Sequence, residues 1–174
     1  LKKKNYLSNT QILKKLTNNK KIFNFNGLSI DSRKLKKENL FLAIEGKKND
    51  GNNFISKAIK KGAKFAITSK NKKSFKDKKK LIFVDNSLVF LKKFGELKRL
   101  CSNAKILAIT GSAGKTSLKN MLSNLLEKYG KTFASPKSYN NHFGVPISLS
   151  NLNLNHQFGV FEIGMSKAGE INNL

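Results

Sequence analysis

The sequence predicts an α/β protein, with a small N-terminal α/β domain followed by the first part of a second domain built on a phosphate-loop-type, mostly parallel sheet. Three observations predict it. Short apolar runs alternate with helical patterns along the chain, as strands and crossover helices do. The stretch "KILAIT", 105–110, is apolar enough to be buried on both faces like a central parallel strand. It runs directly into "GSAGKTSLKN", a glycine-containing turn that opens a helix.

Each element follows from local chemistry. Ser8 or Asn9 caps a helix through Leu16, with Ile12, Leu13 and Leu16 on one side. After the polar turn "TNNKK", the runs "IFNF", "LSI" and "NLFLAI" read as strands of a small mixed sheet. "NDGNNFISKAIKKGAKFAIT" gives a loop, a helix and a strand. Asn52 or Asn53 caps that helix, Phe54, Ile55, Ala58 and Ile59 face inward, and Gly62 ends it. The lysine-rich connector "SKNKKSFKDKKK" leads into the strand "LIFV". From Ser87 the pattern is helical, with Leu88, Leu91, Phe94, Leu97 and Cys101 roughly on one side. This divides the chain into a first domain at 1–86, a linking helix at 87–104 and a second domain at 105–174.

In the second domain, the helix after the glycine turn repeats Leu118, Met121, Leu122, Leu125, Leu126 and Tyr129 at helical spacing, which predicts an inward apolar face. Gly130 stops it. A strand "TFAS", the loop "SYNNHFGVP", a short helix and the strand "FGVFEIG" follow. The sequence reaches "GEINNL" a few residues after that interior strand, so a fragment is expected whose further C-terminal part completes the fold.

Lys and Arg number 35 against 10 Asp and Glu, a formal charge of +25. The lysines are spread through almost every segment among many asparagines, with few arginines and no aromatic-basic stacking motif. That favours solvated faces and attraction for small anionic substrates over nucleic acid. Cys101 is the only cysteine, which excludes an intramolecular disulfide. The N-terminal apolar residues are spaced helically without the continuous core of a signal peptide, and no run approaches a membrane span. A cytoplasmic protein is expected.

The turn at 110–117 departs from the usual G-x-x-x-x-G-K-[ST] spacing, because Ile109 stands where the first glycine would and the nearest preceding one is Gly111. The physical requirements still hold. Backbone N–H groups converge on phosphate oxygens, the helix N-terminus adds its positive end, Lys115 reaches the terminal phosphates, and Thr116 can hold Mg²⁺. Glu162 ends the strand "FGVFEIG", where a carboxylate can meet a nucleotide's cation or pair with one of the many lysines. The amides of Asn140 and Asn141 suit phosphate oxygens or metal-bound water, and suit turn formation equally; His142 shapes the loop. In the first domain, "SIDSRK" places Ser32 and Arg33 just after a strand, and "EGKKNDGNNF" supplies Asp50 and Gly51. These suit either a phosphorylated ligand or a simple Asx turn with a surface arginine.

Taken together, "SIDSRKLKKENLFLAIEGKKNDGNNFISKAIKKGA", "AITGSAGKTSLKNML", "SYNNHFGVPISL" and "FEIGMSKAGEINNL" resemble the Mur ligase family, in the family's order and from about Ser29 onward. The short T-G-x-x-G-K-[ST] loop is that family's form of the phosphate loop. The resemblance implies an ATP-dependent amide ligase of peptidoglycan precursor synthesis. Its N-terminal domain would take a UDP-sugar substrate, its central domain ATP, and its C-terminal domain would be Rossmann-like; only the first and the opening of the second are here. "NNHFGVP" and "EIGMSKAGEI" favour the member that joins D-alanyl-D-alanine to UDP-N-acetylmuramoyl-tripeptide through an acyl phosphate. A ligase adding a single amino acid, or a basic phosphate-loop module binding nucleotide or nucleic acid, are the alternatives.

By motif match, Gly111, Ser112, Ala113, Gly114, Lys115, Thr116 and Ser117 would hold the ATP phosphates. Thr116 and Glu162 would ligate Mg²⁺, and Asn141 would stand beside the γ-phosphate with Lys115. Ser32 would contact the uridine portion, with Arg33, Asp50 and Gly51 around it. Ala113 stands where many relatives have Asn or Ser, which matters little for a loop acting through its backbone. A monomer is expected, with no nucleic acid partner and no membrane span. Relatives use a carbamylated lysine and C-terminal residues that this chain does not contain, so the 174-residue piece alone is expected not to ligate.

Overall fold

The computed structural model of the chain describes residues 7–17, 24–46, 49–70, 75, 78–136, 139–165 and 169. It is α/β with parallel sheets, as the sequence predicts. The turn at 17–21, the first half of the "IFNF" run and much of the 69–80 connector lie outside the described residues, apart from Thr17. Contacts divide the chain into one unit at 7–94 and another running on from Gly95, with the division falling inside a helix.

The first unit opens with α1 (Asn9–Thr17), which buries Ile12 and Leu13. Ser8 and Gln11 cap it reciprocally, the Gln11 amide donating to Ser8 Oγ and the Ser8 amide to Gln11 Oε1. Four strands follow: β1 (Leu28–Ser29), β2 (Leu40–Leu42), β3 (Phe65–Thr68) and β4 (Leu81–Phe83). They pair in the order β1-β2-β3-β4, and every pairing is parallel. The mixed sheet expected from the sequence is thereby corrected. Successive strands run the same way because the chain returns across the sheet between them, through α2 (Ile55–Lys60) in the case of β2 and β3.

Strand pleating sends Phe41 to the face opposite Leu40 and Leu42, and all three are buried. Phe41 joins Ala66 and the Ile55, Ala58 and Ile59 side of α2 in one core. Gly62 ends the helical segment at φ +100°, as expected of a glycine C-cap. The capping residue ahead of α2 is Asp50 rather than Asn52 or Asn53. It caps a 3₁₀ turn at Gly51–Phe54 that feeds the helix.

The helix α3 (Ser87–Cys101) spans the division between units. Asn86 Oδ1 accepts from the amides of Leu88 and Val89 at its start. The second unit continues with β5 (Lys105–Ile109), α4 (Lys115–Glu127), β6 (Thr132–Ala134), α5 (Gly144–Ser150) and β7 (Phe158–Glu162). The sheet order is β5-β7-β6, all parallel, so β7 is central and buried.

Two expectations are corrected here. β5 lies at a sheet edge and buries only Ile109, because among the described residues nothing pairs with its other side. On α4 the expected apolar inner face is turned outward. Leu118, Met121, Leu125 and Tyr129 are exposed, Leu122 and Leu126 are half-buried, and the buried positions are Lys119 and Ser123.

Candidate active site

The turn between β5 and α4 needs glycine for conformational reasons. Gly111 has φ +141° and Gly114 φ +75°, both in the region that favours residues without a Cβ. At Gly114 an added Cβ would meet no atom within 4 Å, so the constraint there is backbone conformation and not space. No side chain caps α4, and its first turn contains no acidic residue. Its leading N–H groups therefore keep their positive end open to an anion. Lys115 folds back over the loop, its ammonium donating to the carbonyls of Gly111 at 2.5 Å and Ser112 at 3.4 Å.

Parallel β5 and β7 bring Ile109 and Glu162 into register, so the phosphate loop and Glu162 emerge at the same sheet end. Thr116 Oγ1 donates to Glu162 Oε2 at 2.8 Å, and Asn140 Nδ2 to Oε1 at 2.8 Å. The Lys119 ammonium lies 3.6 Å from Oε2, in a pair whose side chains are 3% and 4% exposed. The Glu162 amide donates to Ser135 Oγ just beyond β6. Burial alone would raise the Glu162 carboxyl, but Thr116, Asn140 and Lys119 outweigh it and hold it below the usual range.

Asn140 is fixed from both ends, since its carbonyl accepts from the Gly164 amide at 2.7 Å. A Cβ at Gly164 would approach the Asn140 side chain to 3.1 Å, so glycine permits this close passage. Asn141 has a different occupation. Its Oδ1 accepts from the amides of Phe143 at 3.1 Å and Gly144 at 2.9 Å, tying down the start of α5. Of the adjacent amides, then, Asn140 meets Glu162 and Asn141 organises the loop. His142 lies against Phe143 with ring centres 4.0 Å apart and the rings tilted by 45°.

Lys115, Thr116 and Glu162 are thus gathered at one end of the sheet, Asn140 of the two candidate amides joins them, and Lys119 and Ser135 do so unannounced. Thr116 and Lys119 share a helix side by their three-residue spacing, which was the one signal for the lysine. Nothing in the sequence distinguished Ser135.

The loops after β1 and β2 leave the same end of the first sheet, because those strands are parallel neighbours. Ser32 is buried in the first, between Asp31 and Arg33, whose side chains form a bidentate pair. Asp50 belongs to the second. Its Oδ1 accepts from the Asn52 amide and side chain, and its Oδ2 from Lys70, which also reaches Glu45. Burial would raise Asp50, but these partners hold it at about 2. Gly51 donates to the Ile44 carbonyl at 2.9 Å, and a Cβ there would lie 2.7 Å from that backbone. The structure therefore brings Asp50 and Gly51 into one braced loop and leaves Ser32 and Arg33 in its neighbour.

Family comparisons match this arrangement over most of the chain. Residues 24–99 match the profile described as the Mur ligase family catalytic domain, and residues 109–174 that of the Mur ligase middle domain. A UDP-N-acetylmuramoyl-tripeptide–D-alanyl-D-alanine ligase of Rickettsia prowazekii is 42% identical over 87% of this chain, which spans 33% of that relative. A crystal structure of MurF from Acinetobacter baumannii superposes over 94% of this chain and 37% of its own, with a TM-score of 0.76 and 29% identity. The MurF ligase of Thermotoga maritima in complex with ADP covers 85% of this chain and 34% of its own, with a TM-score of 0.67 and 28% identity. The chain thus spans about a third of the length of these relatives.

Proposed function

The chain belongs to the Mur ligase family, and from that we propose that the full-length protein is an ATP-dependent amide ligase. It joins D-alanyl-D-alanine to UDP-N-acetylmuramoyl-tripeptide in the cytoplasm, during peptidoglycan precursor synthesis. The observation that carries this reading is the 2.8 Å contact between Thr116, at the head of the phosphate-loop helix, and Glu162, at the end of the neighbouring strand. In this assignment residues 1–86 serve the UDP-sugar substrate, 87–104 link, and 105–174 begin the ATP domain.

The donor set fits Mg²⁺. Thr116 and Glu162 offer hard oxygens side by side, and among the described residues no cluster of three or more acidic, His or Cys side chains exists to build a full protein cage. Such a site suits an ion that takes one or two protein oxygens and completes its shell with phosphates and water. When bound, Mg²⁺ would offset charge on the phosphate oxygens. No described helix is long and apolar enough to cross a membrane.

The residues of this chain serve the first half-reaction. A carboxylate cannot lose oxide to an amine at neutral pH. In this mechanism, a carboxylate oxygen of the tripeptide therefore attacks the γ-phosphorus of ATP, giving an acyl phosphate and ADP. The D-alanyl-D-alanine amine then attacks the acyl carbon, forming the amide and releasing phosphate and a proton. Backbone N–H groups of 111–117 cradle the phosphates, and Lys115 exchanges the Gly111 carbonyl for phosphate oxygens. Asn140 keeps the Glu162 carboxylate aimed, and Asn141 holds the adjoining loop. Ser32, Arg33, Asp50 and Gly51 line the loops offered to the UDP portion.

The test is phosphate release by the full-length protein with ATP, the UDP-muramoyl tripeptide and either D-alanyl-D-alanine or single amino acids. Turnover is expected with the dipeptide, and turnover with a single amino acid alone would overturn the substrate assignment.

A further inference from the structure

Lys119 is unlike the other lysines the sequence scatters over its surface. It sits one turn beyond Thr116 on the buried side of α4, and its side chain is 3% exposed. Lysines are almost never buried this far without a charge partner, and the partner is Glu162. The two carboxylate oxygens are unequally used. Oε1 takes Asn140, whereas Oε2 is shared by Thr116 at 2.8 Å and the Lys119 ammonium at 3.6 Å. The latter distance is an ion pair beyond hydrogen-bond length. The carboxylate oxygen nearest Thr116 Oγ1 is thus the one that Lys119 already faces.

We propose that Lys119 makes cation binding at this site conditional on nucleotide, its ammonium standing against Glu162 Oε2 where a divalent cation would otherwise bind alone. The inference rests on the reading of Thr116 and Glu162 as cation ligands. One carboxylate and one hydroxyl, with a buried positive charge beside the carboxylate, form a weak cation site. Nucleotide phosphates held by the neighbouring loop supply the negative charge that outweighs the lysine. Lys119 thus acts as a positioning residue. It keeps Glu162 fixed and compensated before substrate arrives, and makes the cation bind together with the nucleotide.

The experiment uses the full-length protein at pH 8, with Mn²⁺ as the probe and its electron paramagnetic resonance signal as the readout, with and without ADP. Wild type is expected to bind Mn²⁺ weakly alone and much more tightly with ADP. Lys119→Met should raise the nucleotide-free Mn²⁺ affinity by roughly ten-fold or more, with a smaller gain when ADP is present. Lys119→Arg should restore the wild-type dependence. Lys119→Gln, which can still hydrogen-bond Glu162, should behave as Lys119→Met does and covers the case in which the methionine variant does not fold. Unchanged or weaker nucleotide-free Mn²⁺ binding in a neutral variant that folds would overturn the proposal, as would wild type binding Mn²⁺ equally well with and without ADP. Failure of the ligand reading looks different: Thr116→Ala and Glu162→Gln would then leave Mn²⁺ binding in the presence of ADP intact.

Discussion

On β2 of the first unit Leu40, Phe41 and Leu42 are at most 1% exposed, whereas on α4 of the second Met121 and Tyr129 are 69% and 72% exposed while Lys119 is buried. Both units are parallel sheets with helices, so architecture does not explain the contrast. The first unit buries the apolar residues of β2 and the inner side of α2, though it leaves Phe54 and Phe83 partly open, and its polar loops are braced locally by Asp50, Asn52 and Lys70. In the second, Lys119 lies buried against the Glu162 carboxylate and Thr116, itself exposed, donates to the same group, while the apolar side of α4 is left open in a chain that spans about a third of its relatives' length.

The contrast can be broken by substitutions of matched size. In the first unit Phe41→Ala should cost about 3–5 kcal/mol by cavity formation, read by urea unfolding, whereas Met121→Ala in the same chain should stay within about 0.5 kcal/mol. Equal losses would mean that the α4 face is packed after all.

Glu162→Gln tests the other side of the comparison. It keeps the shape of the side chain but leaves the Lys119 ammonium buried without its partner, which should cost about 3–5 kcal/mol. A loss below about 1 kcal/mol, the range of an exposed ion pair, would show that the pair is solvated.

Much of this organisation was legible in the sequence. The helices at 9–17, 55–60, 87–101 and 115–127 follow apolar spacing with Ser8 and Gly62 near the ends of the first two, and Gly111 to Thr116 announce a phosphate loop. What periodicity cannot supply is direction. It shows that Leu118, Met121 and Leu125 share a side of α4, but not that the sheet lies against the other side. Strand polarity was likewise hidden, because β1 and β2 are too short to distinguish a mixed sheet from a parallel one. Asn140 and Asn141 are chemically identical neighbours, and only the turn into α5 decides which amide faces Glu162. Lys119 was hidden by composition, since a chain with 35 basic residues gives no reason to single one out.

The smallest expected effect concerns the braced loop of the first unit. Asp50 is held at about 2 against an ordinary value of 3.8. Its contribution to stability is therefore fully present above about pH 4 and lost as the pH falls towards 2. Asp50→Asn should flatten the fall in unfolding midpoint across that window and leave the slope at neutral pH unchanged. An unaltered acid limb would show that Asn52 and Lys70 do not favour the charged form.

If the buried charge of the second unit serves a nucleotide site, a crystal structure of the full-length protein with ADP and Mg²⁺ will show ADP phosphates on the backbone of 111–117, the Lys115 ammonium moved from the Gly111 carbonyl to phosphate oxygen, and the cation beside Thr116 Oγ1 and the Glu162 carboxylate. ADP bound elsewhere, or bound with Lys115 still on Gly111 and no cation near Glu162, would contradict it.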